Sequence, residues 1–229
     1  MANTHRYGFR FLRNLWGGDV PEVEVLPIAS GYQPNTGTPN TDVNLNIGDP
    51  VTKLETGAVQ LCTIGSGDAT TTERVYGIVV GFPQVLISGA IRPNAFYPGG
   101  TVYGSGLAPY TLQTKVAVIP VVGREFEVDT QLAGGASLNT YEEWQAAVGS
   151  VATFVYSPIN TTSSNPKANP LIDETSLTDA TASSLQLRVN GIGRIDDKQD
   201  FTLANVALRV VFNAVQESPI RTAGGFDES

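Results

Sequence analysis

Carboxylates are the groups in this sequence best suited to chemistry. Glu125, Glu127 and Asp129 stand at alternate positions in "REFEVDTQL", and Asp196 and Asp197 are adjacent in "RIDDKQD". Paired carboxylates can hydrolyse glycosidic bonds, one as acid and the other as base or nucleophile, or can hold Ca²⁺ through their oxygens. The surrounding pattern favours a plainer reading. Alternation sets Phe126 and Val128 on the strand face opposite the three acids, which predicts a solvated acidic face, with Asp196-Asp197 in a charged turn. Other chemistry finds few residues. The single histidine, His5, lies near the N-terminus, so a Ser-His-Asp or Cys-His site would have to recruit that segment. One cysteine and one histidine cannot supply the usual ligands of zinc. The sequence holds no Walker loop, nucleophile elbow or Rossmann fingerprint, and its two "GSG" stretches, Gly65–Gly67 and Gly104–Gly106, read as hairpin turns. The expectation is a non-enzymatic protein with no cofactor and no metal.

The elements around these groups read as mainly β. Charged residues make up 16% of the chain, against roughly 25% in ordinary globular proteins, and 24 glycines and 14 prolines supply many turns. Strand signals recur in "DPVTKLETGAVQLCTI", in the long apolar run "ERVYGIVVGFPQVLI", in "KVAVIPVV" and "REFEVDTQL", and in "LQLRVNGIG" and "VALRVVFNAV". Turns every 8–12 residues or so suit barrels and sandwiches. One helix is expected in "NTYEEWQAAVG", where Thr140 and Glu143 form a capping box, Gly149 ends the helix and Trp144, Ala147 and Val148 share a face. The helix is short enough to lie across a barrel mouth. Gly31–Asn44 and Ser157–Ser184 read as exposed polar loops, and Cys62, in "AVQLCTIG", as a small buried core residue. The predicted organisation is an extended N-terminal arm over residues 1–30, a small barrel or tulip-like β module over 31–122, and a second, sandwich-like β part over 123–229 with the helix, a long polar loop and a flexible tail.

The arm differs in composition from the rest of the chain. "THRYGFRFLRNLWGG" carries Arg6, Arg10 and Arg13 among aromatics and no acid before Asp19, whereas the chain as a whole has a net charge of −8. Such an acidic body argues against nucleic acid or an anionic membrane as a direct partner. The Arg-rich start lacks the continuous apolar region of a signal peptide, and no stretch has the roughly 20 apolar residues of a membrane span, so a soluble protein made without secretion is expected. Tyr7, Phe9 and Phe11 alternate with Gly8 and Arg10, as in a strand. Arginine, tyrosine, phenylalanine and tryptophan are enriched where proteins bind proteins. Arg6, Tyr7, Phe9, Arg10, Phe11, Arg13 and Trp16 are therefore the candidate contact residues, the arginines for acidic groups and the aromatics for buried area. The sequence leaves open whether those groups belong to a neighbour or to the same chain.

The order of elements carries a resemblance. "NIGDPVTKLETGAVQLCTIGSGDATTTERVYGIVVGF", Asn46 to Phe82, opens on a "GD-x-V" strand and closes on "YGIVVG". This is similar to the small β module of tailed-phage head decoration proteins. "KVAVIPVVGREFEVDT", the short helix, "AAVGSVATF", the loop with "SLTDATASSLQLRVNGI" and the last valine-rich strand resemble the second half of many phage head structural proteins. The likeness covers about residues 45–215, and the first 44 residues have no counterpart in it. It implies a capsid decoration, or cement, protein that binds the outside of an expanded head, commonly as a homotrimer, and clamps major capsid protein subunits. It also implies synthesis in the host cytoplasm and residence on the virion. The alternative is a receptor- or carbohydrate-binding tail or fibre component that reads its ligand with the exposed loops.

Overall fold

The β-branched runs fold as strands, and two sheets collect them. The computed structural model describes residues 8–18, 20–28, 45–62, 74–87, 90–94, 96–97, 115–131, 138–156, 170–178, 185–193, 199–202 and 205–213. The strands in the first half are β1 (Arg10–Asn14), β2 (Glu24–Pro27), β3 (Leu45–Asn46), β4 (Pro50–Lys53), β5 (Val59–Leu61), β6 (Gly77–Ile87), β7 (Ala90–Asn94), β8 (Phe96–Tyr97) and β9 (Lys115–Pro120). The second half contributes β10 (Arg124–Gln131), the helix α1 (Tyr141–Ala146), β11 (Val151–Ala152), β12 (Phe154–Tyr156), β13 (Pro170–Asp173), β14 (Leu187–Ile192) and β15 (Ala207–Phe212). The fold is mainly β with one short helix, as the sequence pattern predicts. The stretch Ser157–Ser184 that reads as an exposed loop, however, contains β13, whose Leu171 and Ile172 are buried by pairing with β10 and β12.

The first sheet runs β2-β9-β6-β4-β5, with β7 on the far part of β6. Its two ends meet, because Ile28, one residue past β2, bridges Val59 of β5 in parallel. The strands thereby close a circuit around Ile28, Val51, Val59, Val79, Val116 and Val118, all fully buried. Alternation in β9 produces this directly, since Val116 and Val118 turn inward between less buried neighbours.

The second sheet runs β11-β14-β15-β10-β13-β12. Only Thr153 separates β11 from β12, so this sheet too curls into a nearly closed barrel. Its core holds Phe126, Val128, Phe154, Ile172, Leu187, Val189, Leu208 and Val210. Cys62, Val75, Ile78, Ile119 and Val121, from the first sheet and its flanks, pack into the same core. The capping box of α1 is present: Glu143 N–H donates to Thr140 Oγ1 at 3.3 Å and Thr140 N–H to Glu143 Oε2 at 3.0 Å. Trp144 is thereby sunk into the core, with its indole N–H 3.4 Å from the Phe201 carbonyl.

The central strand of the second sheet is β10. One edge pairs with β15 from Phe126 to Asp129. Two strands from distant parts of the chain pair along the rest: β1 antiparallel over residues 124–127, and β13 parallel at Thr130 and Gln131.

Candidate functional site

The N-terminal segment lies along β10, and the arginines and acids singled out in the sequence meet there. The pairing sets Arg10 opposite Glu127, Phe11 opposite Phe126, Arg13 opposite Glu125 and Asn14 opposite Arg124. Leu12 is the extra residue of a β-bulge between Phe11 and Arg13. Without it, two residues three apart would face opposite sides of the strand. With it, Arg10 and Arg13 share one face, and Leu12 is turned outward and 40% exposed.

The carboxylates are not the solvated face that alternation predicts. Glu125, Glu127 and Asp129 are all buried, as are Phe126 and Val128 on the other side of β10. The physical reason is a second cover that lies far away in sequence. Arg10 Nη2 lies 2.5 Å from Glu127 Oε1 and 3.4 Å from Asp129 Oδ1, and Arg13 Nε lies 2.7 Å from Glu125 Oε2. The Asn190 amide donates to the other oxygen of Glu125 from a bulge in β14. Arg209 of β15 stands opposite Glu127. A side chain at Gly191 would run into the Arg209 guanidinium, and one at Gly193 into the Glu127 carboxylate. The two glycines of "NGIG" thus form the floor of a slot that carries these groups across the sheet. Buried charges are tolerated only when paired and hydrogen-bonded, which this ladder of Arg13, Glu125, Asn190, Arg10, Glu127 and Asp129 provides.

The aromatic side of the segment enters the core. Phe9 is 3% exposed and packs against Phe212 and Phe154 at centroid distances of 5.0 and 5.7 Å. Phe11 meets Phe126 edge-on at 6.2 Å. The Phe9 N–H donates to the Gly48 carbonyl at 2.9 Å, which ties the same segment to a turn of the first barrel. At its other end Leu15 N–H donates to Gly123 O at 2.8 Å, and the Trp16 ring lies where any β-carbon at Gly123 would have to be. Arg6 and Tyr7 of the candidate set lie outside the described residues, as do His5 and Asp196-Asp197.

The outer surface of residues 12–25 differs in kind. Leu12, Leu15, Trp16, Val20, Val23 and Val25 are all at least 40% exposed, and Trp16 reaches 81%. Among the described residues only Ile47 and Tyr141 elsewhere are large hydrophobics of comparable exposure. Sequence reasoning found Trp16 and missed the others, because the type of an apolar residue carries no mark of which side the chain presents. Prolines at 21 and 27 were the available sign that this stretch is not enclosed.

Three further polar sites were not visible in the sequence. The Tyr76 hydroxyl lies 2.7 Å from both carboxylate oxygens of Glu24, and Lys53 Nζ lies 3.0 Å from that hydroxyl and 3.3 Å from Glu24 Oε2. Burial opposes charge on Lys53, but hydrogen bonding to Tyr76 and the nearby Glu24 outweigh it and raise its pKa. Burial and Glu24 raise that of Tyr76, so the phenol stays protonated and acts as a clasp between β2 and the barrel. Asp49 is completely buried, and burial pushes its carboxyl well above the ordinary range despite hydrogen bonding to Asn46. Glu174 is raised for the same reason. Among the described residues no group of three or more histidine, cysteine or acidic side chains is arranged to hold a metal ion, and no helix is long and apolar enough to cross a membrane.

Compared with known protein families, characterised proteins and solved structures, the chain matches none.

Proposed function

We propose that this is a non-enzymatic virion structural protein that binds the outer surface of a tailed-phage head and cements neighbouring major capsid subunits. The observation that carries the reading is the concentration of exposed apolar side chains along residues 12–25, on a segment fastened to the body at its two ends by β1 and β2. Exposed apolar clusters of this kind mark surfaces that bind other proteins. A fastened segment loses little conformational entropy on binding, which favours affinity from a modest area. Two joined β barrels offer a rigid platform for it, and the order of elements from Asn46 onward supports the phage-head assignment. The cementing mechanism is mass action: a ligand that binds only the assembled lattice makes its disassembly cost more, and many copies add avidity.

The structure changes how this is tested. Arg10, Arg13, Phe9 and Phe11 are occupied within the chain, so the contact surface is Leu12, Leu15, Trp16, Val20, Val23 and Val25. Removing the whole segment would strip the cover from three buried carboxylates and confound binding with unfolding. The informative variant is Leu15→Ser with Trp16→Ala, assayed by co-sedimentation with expanded capsids. The expected result is at least a tenfold loss of binding with an unchanged melting temperature. Full binding by that variant would count against the proposed surface.

A further inference from the structure

We propose that the groove along β10 is a strand-acceptor site which the N-terminal segment of a second copy can fill, so that two chains join by exchanging arms. This exchange does not depend on the identity of the larger partner.

Three features of the chain carry it. The first is charge complementarity. Glu125, Glu127 and Asp129 are buried under the segment, and the cations that approach them from β1 are Arg10 and Arg13. An emptied groove would leave three carboxylates without these partners, so it must be refilled by a strand with the same features. Those are two arginines brought onto one face by a bulge, and phenylalanines at alternate positions to enter the Phe126, Phe154 and Phe212 cluster. The strand that meets this description is the one on another copy.

The second feature is the connection. β1 belongs to one barrel and β2 to the other, and the link between them holds Gly17 and Gly18 at φ of +92° and +87°. Consecutive glycines in the left-handed region make a hinge whose rotation has little steric barrier, and Gly17 has open space around it. Among the described residues, the hydrogen bonds made by 16–23 are those that the Asn14 side-chain amide donates to Gly18 O at 2.8 Å and Val20 O at 3.3 Å. Asn14 is thus the clasp that folds the hinge back on its own chain.

The third feature is topology. Among the described residues β1 pairs with β10 alone, so it can leave without unthreading any other described strand. A swapped arm makes the same contacts as an unswapped one, which is why exchange of an identical element is a low-cost route to dimers.

The test uses two charge-reversed full-length chains. One carries Arg10→Glu and Arg13→Glu; the other carries Glu125→Lys and Glu127→Lys. Neither arm suits its own groove, but each suits the groove of the other chain. Native mass spectrometry of the mixture should show a one-to-one heterodimer that neither chain forms alone. A mixture that stays monomeric, or chains that associate as strongly alone as together, would overturn the proposal. If the reversed chains fail to fold, deletion of residues 17–20 from the otherwise natural chain provides the second test. It shortens the reach of β1 by about 13 Å while keeping β1 and the groove intact. A dimer with Arg10 protected from trypsin is expected; a monomer with Arg10 cleaved would refute the exchange.

Discussion

β1 and β2 come from the same short N-terminal stretch and are held by opposite logic. β1 brings two cations to carboxylates that the body has buried. β2 brings a carboxylate, Glu24, to a phenol and an ammonium that the body presents near its surface. The first is an obligatory cover: the side chains of Glu127 and Glu125 are 8% and 1% exposed with β1 in place. The second is a clasp on a strand already held by its full pairing with β9 and by the Ile28–Val59 bridge. The contrast teaches that a strand at the outside of a sheet can be more deeply committed than one inside a barrel wall. What commits it is the set of groups that would be stranded without it.

The sharpest way to break this comparison is to hollow out β1 and the residue before it. Phe9→Ala should destabilise the protein by about 3–5 kcal/mol, since it empties a site among Phe154 and Phe212. Arg10→Ala should cost about 3 kcal/mol, the low end for breaking a buried pair because the Arg10 side chain is a quarter exposed. Both are measured by chemical denaturation. Arg10→Lys should recover only part of the loss: Nη2 alone reaches both Glu127 and Asp129, and the shorter lysine keeps the charge without the planar guanidinium that places that nitrogen between them. On β2, Tyr76→Phe should cost about 1 kcal/mol, one hydrogen-bonding group at a partly wet site. A loss at Tyr76 as large as that at Arg10 would erase the distinction between the two strands.

A pH titration sharpens it further. A carboxyl whose folded pKa lies above its unfolded value contributes most below the unfolded value, and that contribution is lost as pH rises through the folded value. Asp49 and Glu174 are of this type. Stability should therefore decline as pH rises from the ordinary carboxylate range through their raised values. Asp49→Asn should flatten that decline and gain relative to the natural chain as pH rises. An unchanged profile in the variant would exclude Asp49 as the cause. The smallest expected effect on stability belongs to the outer face: Trp16→Ala should shift it by no more than about 0.5 kcal/mol.

Much of this fold can be read in the chain. The period-two runs mark the barrel strands, and the Thr140–Glu143 box marks the helix and, through it, the burial of Trp144. The residue types of the arm point to arginine–carboxylate pairs, and Arg10 and Arg13 make them. What could not be read is non-local. Nothing in "REFEVDTQL" says that its polar face is roofed by a strand more than a hundred residues earlier, and nothing in "RFLRN" announces that Leu12 is a bulge. Both are properties of a pairing between segments, and local periodicity describes only one segment at a time. The exposed valines at 20, 23 and 25 escaped for the related reason that burial is decided by neighbours.

The Leu12 bulge has a consequence for how the protein behaves when crowded. Among the described residues β1 has β10 on one edge and no strand on the other. A straight, bare strand edge is a template on which further chains can add, ending in aggregates. The bulge interrupts the regular spacing of N–H and C=O groups in the middle of this five-residue strand, so the edge offers no continuous ladder to copy. The extra residue that aligns the arginines inward thereby also keeps the outward edge from recruiting strands indiscriminately.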